Sequence, residues 1–397
     1  MKHPLAASTA FACFVSLGWA AAGCGGGGTV TTTGVGGHTG SGSATSGNGA
    51  TGGASSGSAG PSTTASVGGG STTSSGGATT TASSGATTTA ASSGATTGSS
   101  SSGGTGVADP NVDGPYAFTE LDDTIASVSG GDSNIPVHCA YPTSGPTAGP
   151  YPVVVVGHGL SLPAAQYYGY VKRLASFGYV ALTVDFPSSP FSVDNPKEAK
   201  DMLAGLDWAK NKAVVKADAS TAGMTGHSLG GKVALLAATL DPRVKAAIVL
   251  DPVDGGGPNG CNPPGCVSVA PLMPGLHIPT GFLGETTDAM GGFMPCAPAA
   301  SNFTTFYAKT NAPSLEVTVA GADHMSFLDD VSTCGFICGF CNPATAPNAQ
   351  VNGLARAFVA AFYERHLRGD AGYDTYLTGA AAQMRYVTTA EATITSK

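Results

Sequence analysis

Residues 222–240 read AGMTGHSLGGKVALLAATL. A short strand-like run at Ala222–Thr225 leads into Gly226-His227-Ser228-Leu229-Gly230, and an apolar helical pattern follows at Gly231–Leu240. A Gly-x-Ser-x-Gly motif alone is weak evidence for a catalytic serine. Here a predicted strand precedes it and a predicted helix follows it, and a sharp turn between a strand and a helix exposes the serine above the sheet. The flanking glycines suit that turn because side chains there would clash. The stretch predicts Ser228 as a nucleophile, and a tight glycine turn in a non-catalytic protein is the alternative.

Outward from this motif, strand-like and helix-like segments alternate, which predicts an α/β fold with a mostly parallel sheet and helices on both faces. The motif makes it an α/β-hydrolase fold in particular. The predicted strands are Phe118–Val128 and Ile135–Tyr141 as an antiparallel pair, then Pro152–Gly157, Gly178–Asp185, Ala222–Thr225, Val244–Leu250, Ile278–Leu283 and Leu315–Val319. The predicted helices are Ala164–Phe177, Pro196–Lys212, Gly231–Leu240, Ser301–Lys309 and Val351–Leu367.

The N-terminal part of the chain has a different character. Residues 1–24 resemble a bacterial lipoprotein signal peptide, in which small residues precede a cysteine, Cys24, that is lipidated after cleavage; an ordinary secretory signal is the alternative. Residues 25–106 consist almost entirely of Gly, Ser, Thr and Ala, so we expect a disordered tether. The hydrolase domain then occupies residues 107–397. This organisation predicts an exported lipoprotein, anchored to a membrane through Cys24 on the extracytoplasmic side.

Charge and cysteine content narrow the class of protein further. The formal net charge is −8 with no basic run, so nucleic acid is not expected as a partner. Seven cysteines lie in the domain, and in an exported protein they predict disulfides, with Cys139 as the unpaired one. The spacing of Cys334, Cys338 and Cys341 also allows a zinc cluster, but no nearby histidine completes it, and no metal or other cofactor is expected.

A serine nucleophile needs a base and an acid. His324 follows the last predicted strand of the parallel sheet, in the chain order nucleophile, acid, histidine that this fold uses. Asp251 and Asp288 each follow a strand between Ser228 and His324, and the spacing leaves the two equally possible as the acid. Asp254 and Glu285 are weaker candidates.

Two backbone amides are predicted to hold the oxyanion of the reaction. The first is that of Leu229, the residue after the nucleophile. The second is that of Leu160, which follows His158-Gly159 in the loop after the strand at Pro152–Gly157. Amides aimed at a developing negative charge stabilise the transition state of acyl transfer.

Five stretches resemble the chlorophyllase family: Gly157–Leu160, Gly226–Lys232, Leu250–Gly255, Phe293–Pro298 and His324–Asp330. The resemblance implies hydrolysis of an ester such as the phytyl ester of chlorophyll. It also implies that the aspartate before Pro252-Val253, which is Asp251, is the catalytic acid. Residues 173–178 are similar in addition to bacterial cutinase-like polyesterases, whose acid aligns with Asp288.

Together these features predict a serine esterase acting through an acyl-enzyme on a small-molecule or lipid-like ester. A cutinase-like or lipase-like polyesterase, a transferase using the same acyl-enzyme, and a non-catalytic surface-displayed binding module are the alternatives.

Overall fold

The computed structural model describes residues 106–189, 192–255, 261–290 and 295–397, with the side chains of residues 336 and 337 left out. Its strands are β1 Ala117–Ser127, β2 Ser133–Ser144, β3 Tyr151–Gly157, β4 Val180–Val184, β5 Ala217–Gly226, β6 Val244–Leu250, β7 Thr280–Glu285, β8 Ser314–Val319 and β9 Ala392–Ser396. Its α-helices are α1 Tyr168–Ser176, α2 Asn195–Asn211, α3 Leu229–Leu240, α4 Phe303–Lys309, α5 Asn348–His366, α6 Asp374–Leu377 and α7 Ala380–Ala382.

The strands form one sheet in the order β1-β2-β4-β3-β5-β6-β7-β8-β9. The run from β4 to β8 is parallel, whereas β1, β2 and β9 pair antiparallel at the two edges. After β3 the chain adds β4 on one side and β5 on the other, which is the type of switch point where ligands bind in open α/β sheets. The carboxyl ends of β3, β5, β6, β7 and β8 therefore share one edge of the sheet.

Alternating side chains of β3 separate two hydrophobic cores. Val154 and Val156 pack on one face with helices α1 and α5. Val153 and Val155 point to the other face, where α2, α3 and α4 cover them. A strand buried on both sides reads as an unbroken apolar run, and this accounts for four consecutive valines. The arrangement confirms the predicted mostly parallel sheet with helices on both faces.

The structure differs from the sequence-based expectation at several elements. Strand β9 and the short helices α6 and α7 are not among the predicted elements. Strand β5 begins at Ala217, five residues before the predicted start. Its first residues, Ala217 and Asp218, pair with Tyr151 and Pro152 of β3 although they carry no apolar pattern. The predicted helix Ala164–Phe177 is a 3-10 turn at Ala164–Tyr167 followed by α1.

Six cysteines form the disulfides Cys261–Cys266, Cys296–Cys341 and Cys334–Cys338. Within the described residues Cys139 is free and buried in β2, as predicted. The sulfurs considered for a zinc cluster are therefore committed to disulfide bonds. No helix in the described ranges is both long and apolar enough to cross a membrane.

Several predictions fall outside the described residues. The signal peptide, Cys24 and the tether up to residue 105 are among them, as are residues 293 and 294 of the Phe293–Pro298 stretch. They stay predictions.

Candidate active site

Ser228 lies in the sharp turn between β5 and α3. Its backbone has φ 55° and ψ −120°, a positive-φ conformation that a residue with a side chain rarely adopts. Such strain costs roughly 1–3 kcal/mol and persists where the surrounding structure enforces it. Here two hydrogen bonds to the sheet hold the backbone in this conformation. The amide of His227 donates to the carbonyl of Gly157 on β3, and the amide of Ser228 donates to the carbonyl of Leu250 on β6.

Close packing on both sides of the turn requires glycine. A Cβ at Gly226 would lie 2.3 Å from the carbonyl oxygen of Gly230. A Cβ at Gly230 would lie 2.4 Å from the carbonyl carbon and oxygen of Gly157, at the end of β3. The first turn of α3 thus rests directly on the end of β3, and Ser228 is held at the helix N-terminus.

His324 reaches Ser228 from the loop after β8. It begins a 3-10 turn, His324–Phe327, and its Nε2 lies 2.8 Å from the Ser228 Oγ. The imidazole is 4 % exposed, so it meets the serine in a largely desolvated place. The sequence predicts that these two residues act together, although they are 96 residues apart in the chain. The structure brings them into hydrogen-bonding contact.

Asp251 and Asp288 both contact His324, but at different atoms. The Oδ2 of Asp251 accepts a hydrogen bond from the imidazole Nδ1 at 2.6 Å. Asp288 instead accepts the backbone N–H of His324 at 2.8 Å and that of Asn342 at 2.7 Å. Both carboxylates are fully buried. Only Asp251 faces the ring, whereas Asp288 fixes the loop that carries it.

The weaker acid candidates have other partners. Glu285 accepts the amides of Thr287 and Asp288 on one oxygen, while its second oxygen is buried without a hydrogen-bond partner. Asp254 accepts the amides of Val269 and Ala270 and the hydroxyl of Ser268, and so fixes the segment that follows Asp251.

These carboxylates set the proton affinity of His324. Burial disfavours its charged form, but the hydrogen bond to Asp251 and the nearby charges of Asp251, Asp288 and Glu285 outweigh this and raise the pKa of His324. Burial, together with the charge of Asp251, raises the pKa of Glu285 to about 7. The imidazolium that a proton-accepting histidine forms is therefore stabilised here.

The two predicted oxyanion donors belong to adjoining parts of the structure. Leu229 is the first residue of α3, and amides in the first turn of a helix have no acceptor within the helix. Leu160 follows the end of β3, which packs against that turn. In the same loop, His158 makes contacts of 2.9 Å with the carbonyl oxygens of Gly159 and Phe186, which fixes its path.

The other histidines of the domain do not contact Ser228. His138 binds Asp122 and Glu120 on the edge strands, and His366 packs on Phe362. His277 lies near Asn311. His227, next to the serine in sequence, turns its side chain beneath the site, where its Nε2 donates to the carbonyl of His324.

Sequence reasoning missed Tyr167. Its hydroxyl lies 2.8 Å from Nδ1 of His227 and 3.1 Å from the amide nitrogen of Gly159, and it is fully buried. The sequence shows it only as one apolar position of a helical pattern. Nothing in that pattern indicates that its hydroxyl is used.

Comparison with known families adds an independent observation. The family model described as Chlorophyllase matches residues 116–383. This chain belongs to the chlorophyllase family. Chlorophyllase-1 of Arabidopsis thaliana is 29 % identical over 258 residues, which cover 59 % of this chain and 77 % of that protein.

Bacterial esterases are similar over shorter stretches. Bis(hydroxyethyl) terephthalate hydrolase of Streptomyces coelicolor is 32 % identical over 143 residues, 35 % of this chain and 44 % of that protein. Cutinase 2 of Thermobifida cellulosilytica is 33 % identical over 107 residues, 26 % of this chain and 40 % of that protein. The chlorophyllase family and these relatives confirm the predicted resemblance and the α/β-hydrolase fold, and they identify the chain as an ester hydrolase at the level of the family.

Proposed function

We propose that this chlorophyllase-family chain is a serine esterase that hydrolyses a carboxylic ester through an acyl-enzyme. The observation that carries the proposal is the unbroken row of hydrogen bonds from Ser228 Oγ through His324 to Asp251, with contacts of 2.8 and 2.6 Å. A serine, a base and a buried acid in this order form the arrangement that activates a hydroxyl for attack.

In the proposed reaction, Ser228 Oγ attacks the ester carbonyl while His324 Nε2 accepts its proton. The amides of Leu160 and Leu229 hold the oxyanion. His324 then protonates the leaving alcohol, which yields an acyl group on Ser228. Water then attacks the acyl-enzyme with His324 again as the base; the bond from the acyl carbon to Ser228 Oγ breaks, His324 returns the proton to Oγ, and the carboxylic acid leaves. Asp251 stabilises the imidazolium in both steps.

Ser228→Ala tests the proposal. Turnover of a p-nitrophenyl ester should fall by roughly 10⁵-fold or more, because without the nucleophile only binding and the oxyanion donors remain. Ser176→Ala is the matched control. It removes the hydroxyl of a different buried serine, at the end of α1, and this variant should keep the activity of the wild type.

A fluorophosphonate probe should label the wild type and not Ser228→Ala. Undiminished turnover by Ser228→Ala would refute the nucleophile, and an unlabelled, inactive wild type would favour a binding module instead. Transfer of the acyl group to added alcohols in preference to water would identify a transferase.

For the substrate we propose an ester with a large apolar group, as in the chlorophyllases. The bacterial relatives named as cutinases and as a terephthalate ester hydrolase support a second candidate, a polyester. Chlorophyll, a triglyceride and a polyester film, tested side by side with equal enzyme, should separate them, since the natural class should show the largest kcat/KM.

We further propose that the protein is exported and anchored by a lipid at Cys24. The lipoprotein-like signal in residues 1–24 and the three disulfides of the domain support this, since disulfides persist outside the reducing cytosol. Mass spectrometry of the protein from a bacterial host should find diacylglycerol on Cys24, and Cys24→Ser should release the protein from the membrane fraction.

A further inference from the structure

A buried chain of three hydrogen bonds links the loops around Ser228. The amide of Gly159 donates to the hydroxyl oxygen of Tyr167 at 3.1 Å. The Tyr167 hydroxyl lies 2.8 Å from Nδ1 of His227, and Nε2 of His227 lies 2.8 Å from the carbonyl oxygen of His324. Tyr167 and His227 are fully buried, so these bonds do not compete with water.

The partners determine the direction of every proton in this chain. A carbonyl oxygen only accepts, so Nε2 of His227 must carry a proton. Burial lowers the pKa of His227 well below its ordinary value, and the neutral ring has a single N–H. Its Nδ1 therefore accepts from the Tyr167 hydroxyl, whose oxygen is left to accept from Gly159. Each N–H or O–H donor in the chain of bonds then has one acceptor.

Three members of this chain of bonds lie at or next to groups that the proposed reaction uses. Gly159 precedes Leu160, the proposed oxyanion donor, His227 precedes Ser228, and His324 is the proposed base. His324 is held from both sides, since Asp288 accepts its N–H and His227 donates to its carbonyl oxygen. The loop carrying the oxyanion donor and the loop carrying the base are thus tied to one another through a single imidazole and a single phenol.

Packing at Gly159 leaves little room for a side chain. A Cβ there would lie 3.1 Å from Nδ1 of His227, 3.2 Å from the Tyr167 hydroxyl and 2.7 Å from Leu162 Cδ1. The loop after β3 therefore packs tightly against the two rings, and a side chain at position 159 would have to push them away.

We propose that Tyr167 and His227 are positioning residues that set the amide of Leu160 against Ser228 and His324. This proposal rests on the proposed function, and neither side chain touches the reacting atoms. Because an oxyanion donor acts mainly on the transition state, a misplaced Leu160 amide should lower kcat and leave KM nearly unchanged.

Tyr167→Phe tests the proposal, with Tyr170→Phe as the matched control. Tyr170 is equally buried, one turn further along the same segment, and donates to the carbonyl of Phe327 at 2.8 Å. Asn352 also donates to that carbonyl, so the control removes a buried hydroxyl without releasing the His324 turn.

Complete loss of one oxyanion donor costs roughly 10²–10³-fold in kcat, so a displaced donor should cost about 10–100-fold. We expect this loss in Tyr167→Phe with KM within about twofold, and kcat within about threefold of the wild type in Tyr170→Phe. Inhibition by an alkyl boronic acid, whose tetrahedral adduct on Ser228 places an oxygen in the oxyanion position, should weaken in Tyr167→Phe by the same factor as kcat/KM. Equal thermal stability losses in the two variants would show that folding does not explain the difference.

His227→Gln provides a second route if Tyr167→Phe does not fold. Its amide can still donate to the carbonyl of His324 but offers no acceptor at the position of Nδ1, so the same loss of kcat is expected. Wild-type kcat in either folded variant, or equal kcat losses in Tyr167→Phe and Tyr170→Phe, would overturn the positioning role. An inactive wild type, or an active Ser228→Ala, would instead overturn the proposed function.

Discussion

Two buried carboxylates bind His324, and the atom that each one binds separates their effects. Asp251 holds the imidazole Nδ1, which keeps the proton on that nitrogen and leaves Nε2 free to accept from Ser228. Asp288 holds backbone amides, including that of Asn342, beside the disulfide at Cys341. Asp251 acts on the ring electronically, whereas Asp288 acts on the position of the loop.

Asparagine at each position should therefore have a different effect. Asp251→Asn should lower kcat by about 10⁴-fold, because the amide can stabilise the wrong tautomer of His324 and carries no charge for the imidazolium. Asp288→Asn keeps an oxygen that can accept the N–H of His324, and we expect a loss of about tenfold or less. Initial rates with a p-nitrophenyl ester measure both, and a larger loss in Asp288→Asn would reverse the assignment.

Chain order and strand ends were sufficient to nominate Ser228, His324 and both aspartates from sequence. They did not separate Asp251 from Asp288, because each follows a parallel strand and would lie at the same sheet edge. The difference depends on side-chain direction after β6 and β7, which spacing does not encode. The chlorophyllase resemblance favoured Asp251, whereas the cutinase resemblance pointed to Asp288.

The elements around the site are joined by direct backbone contact between α3 and β3. Periodicity predicted these elements well, since β3 and α3 carry strong apolar patterns and glycine punctuation. It failed for β9, where Ala392–Ser396 is short and largely exposed at the sheet edge, so little apolar pattern marks it. Pairing with β8, a long-range contact, makes this segment a strand.

Gly230→Ala tests whether the contact between α3 and β3 supports the site. The new Cβ would lie within 2.4 Å of backbone atoms of Gly157, which cannot move without displacing β3, so destabilisation of roughly 1–3 kcal/mol is expected together with a loss of kcat. Gly353→Ala, in the second turn of α5, where an added Cβ would meet nothing within 4 Å, is the control and should stabilise the protein by up to about 1 kcal/mol. Urea unfolding and turnover measure both effects. Wild-type stability and activity in Gly230→Ala would contradict this account of the packing.

At the scale of the whole domain, the disulfide bonds are only partly predictable from the sequence. The even number of paired cysteines and the free Cys139 were predictable, but not the pairing itself. Cys296–Cys341 joins the segment after β7 to the segment after β8, and Asn342 beside it binds Asp288. The pairs Cys261–Cys266 and Cys334–Cys338 are local, whereas the pairing of Cys296 with Cys341 depends on β7 and β8 being neighbours in the sheet.

Buried acids make the stability of the folded protein depend on pH. Burial raises the pKa of Asp201, Glu285 and Glu364 to about 7 in each case. A carboxyl whose pKa is raised on folding binds its proton more tightly in the folded state, so the free energy of unfolding is highest below the pKa of the unfolded chain. That contribution is lost as the pH rises from about 4 to about 7, because the folded state must then ionise a buried group or release it to water.

Glu364 is the acid best suited to a test, because it lies on α5 near Arg368 and away from Ser228. In Glu364→Gln no buried group ionises at this position, while a side chain of the same shape stays beside Arg368, whose Nε lies 3.3 Å from Oε1 of Glu364. The melting temperature of the wild type should therefore fall more steeply between pH 5 and pH 8 than that of the variant, as scanning calorimetry at several pH values would measure. Since Glu364 is remote from the site, the pH dependence of kcat/KM should stay the same in both proteins. If the melting temperatures of the wild type and the variant change equally with pH, Glu364 is already ionised at pH 5 in the folded state. It would then not be one of the groups that make the stability of this fold depend on pH.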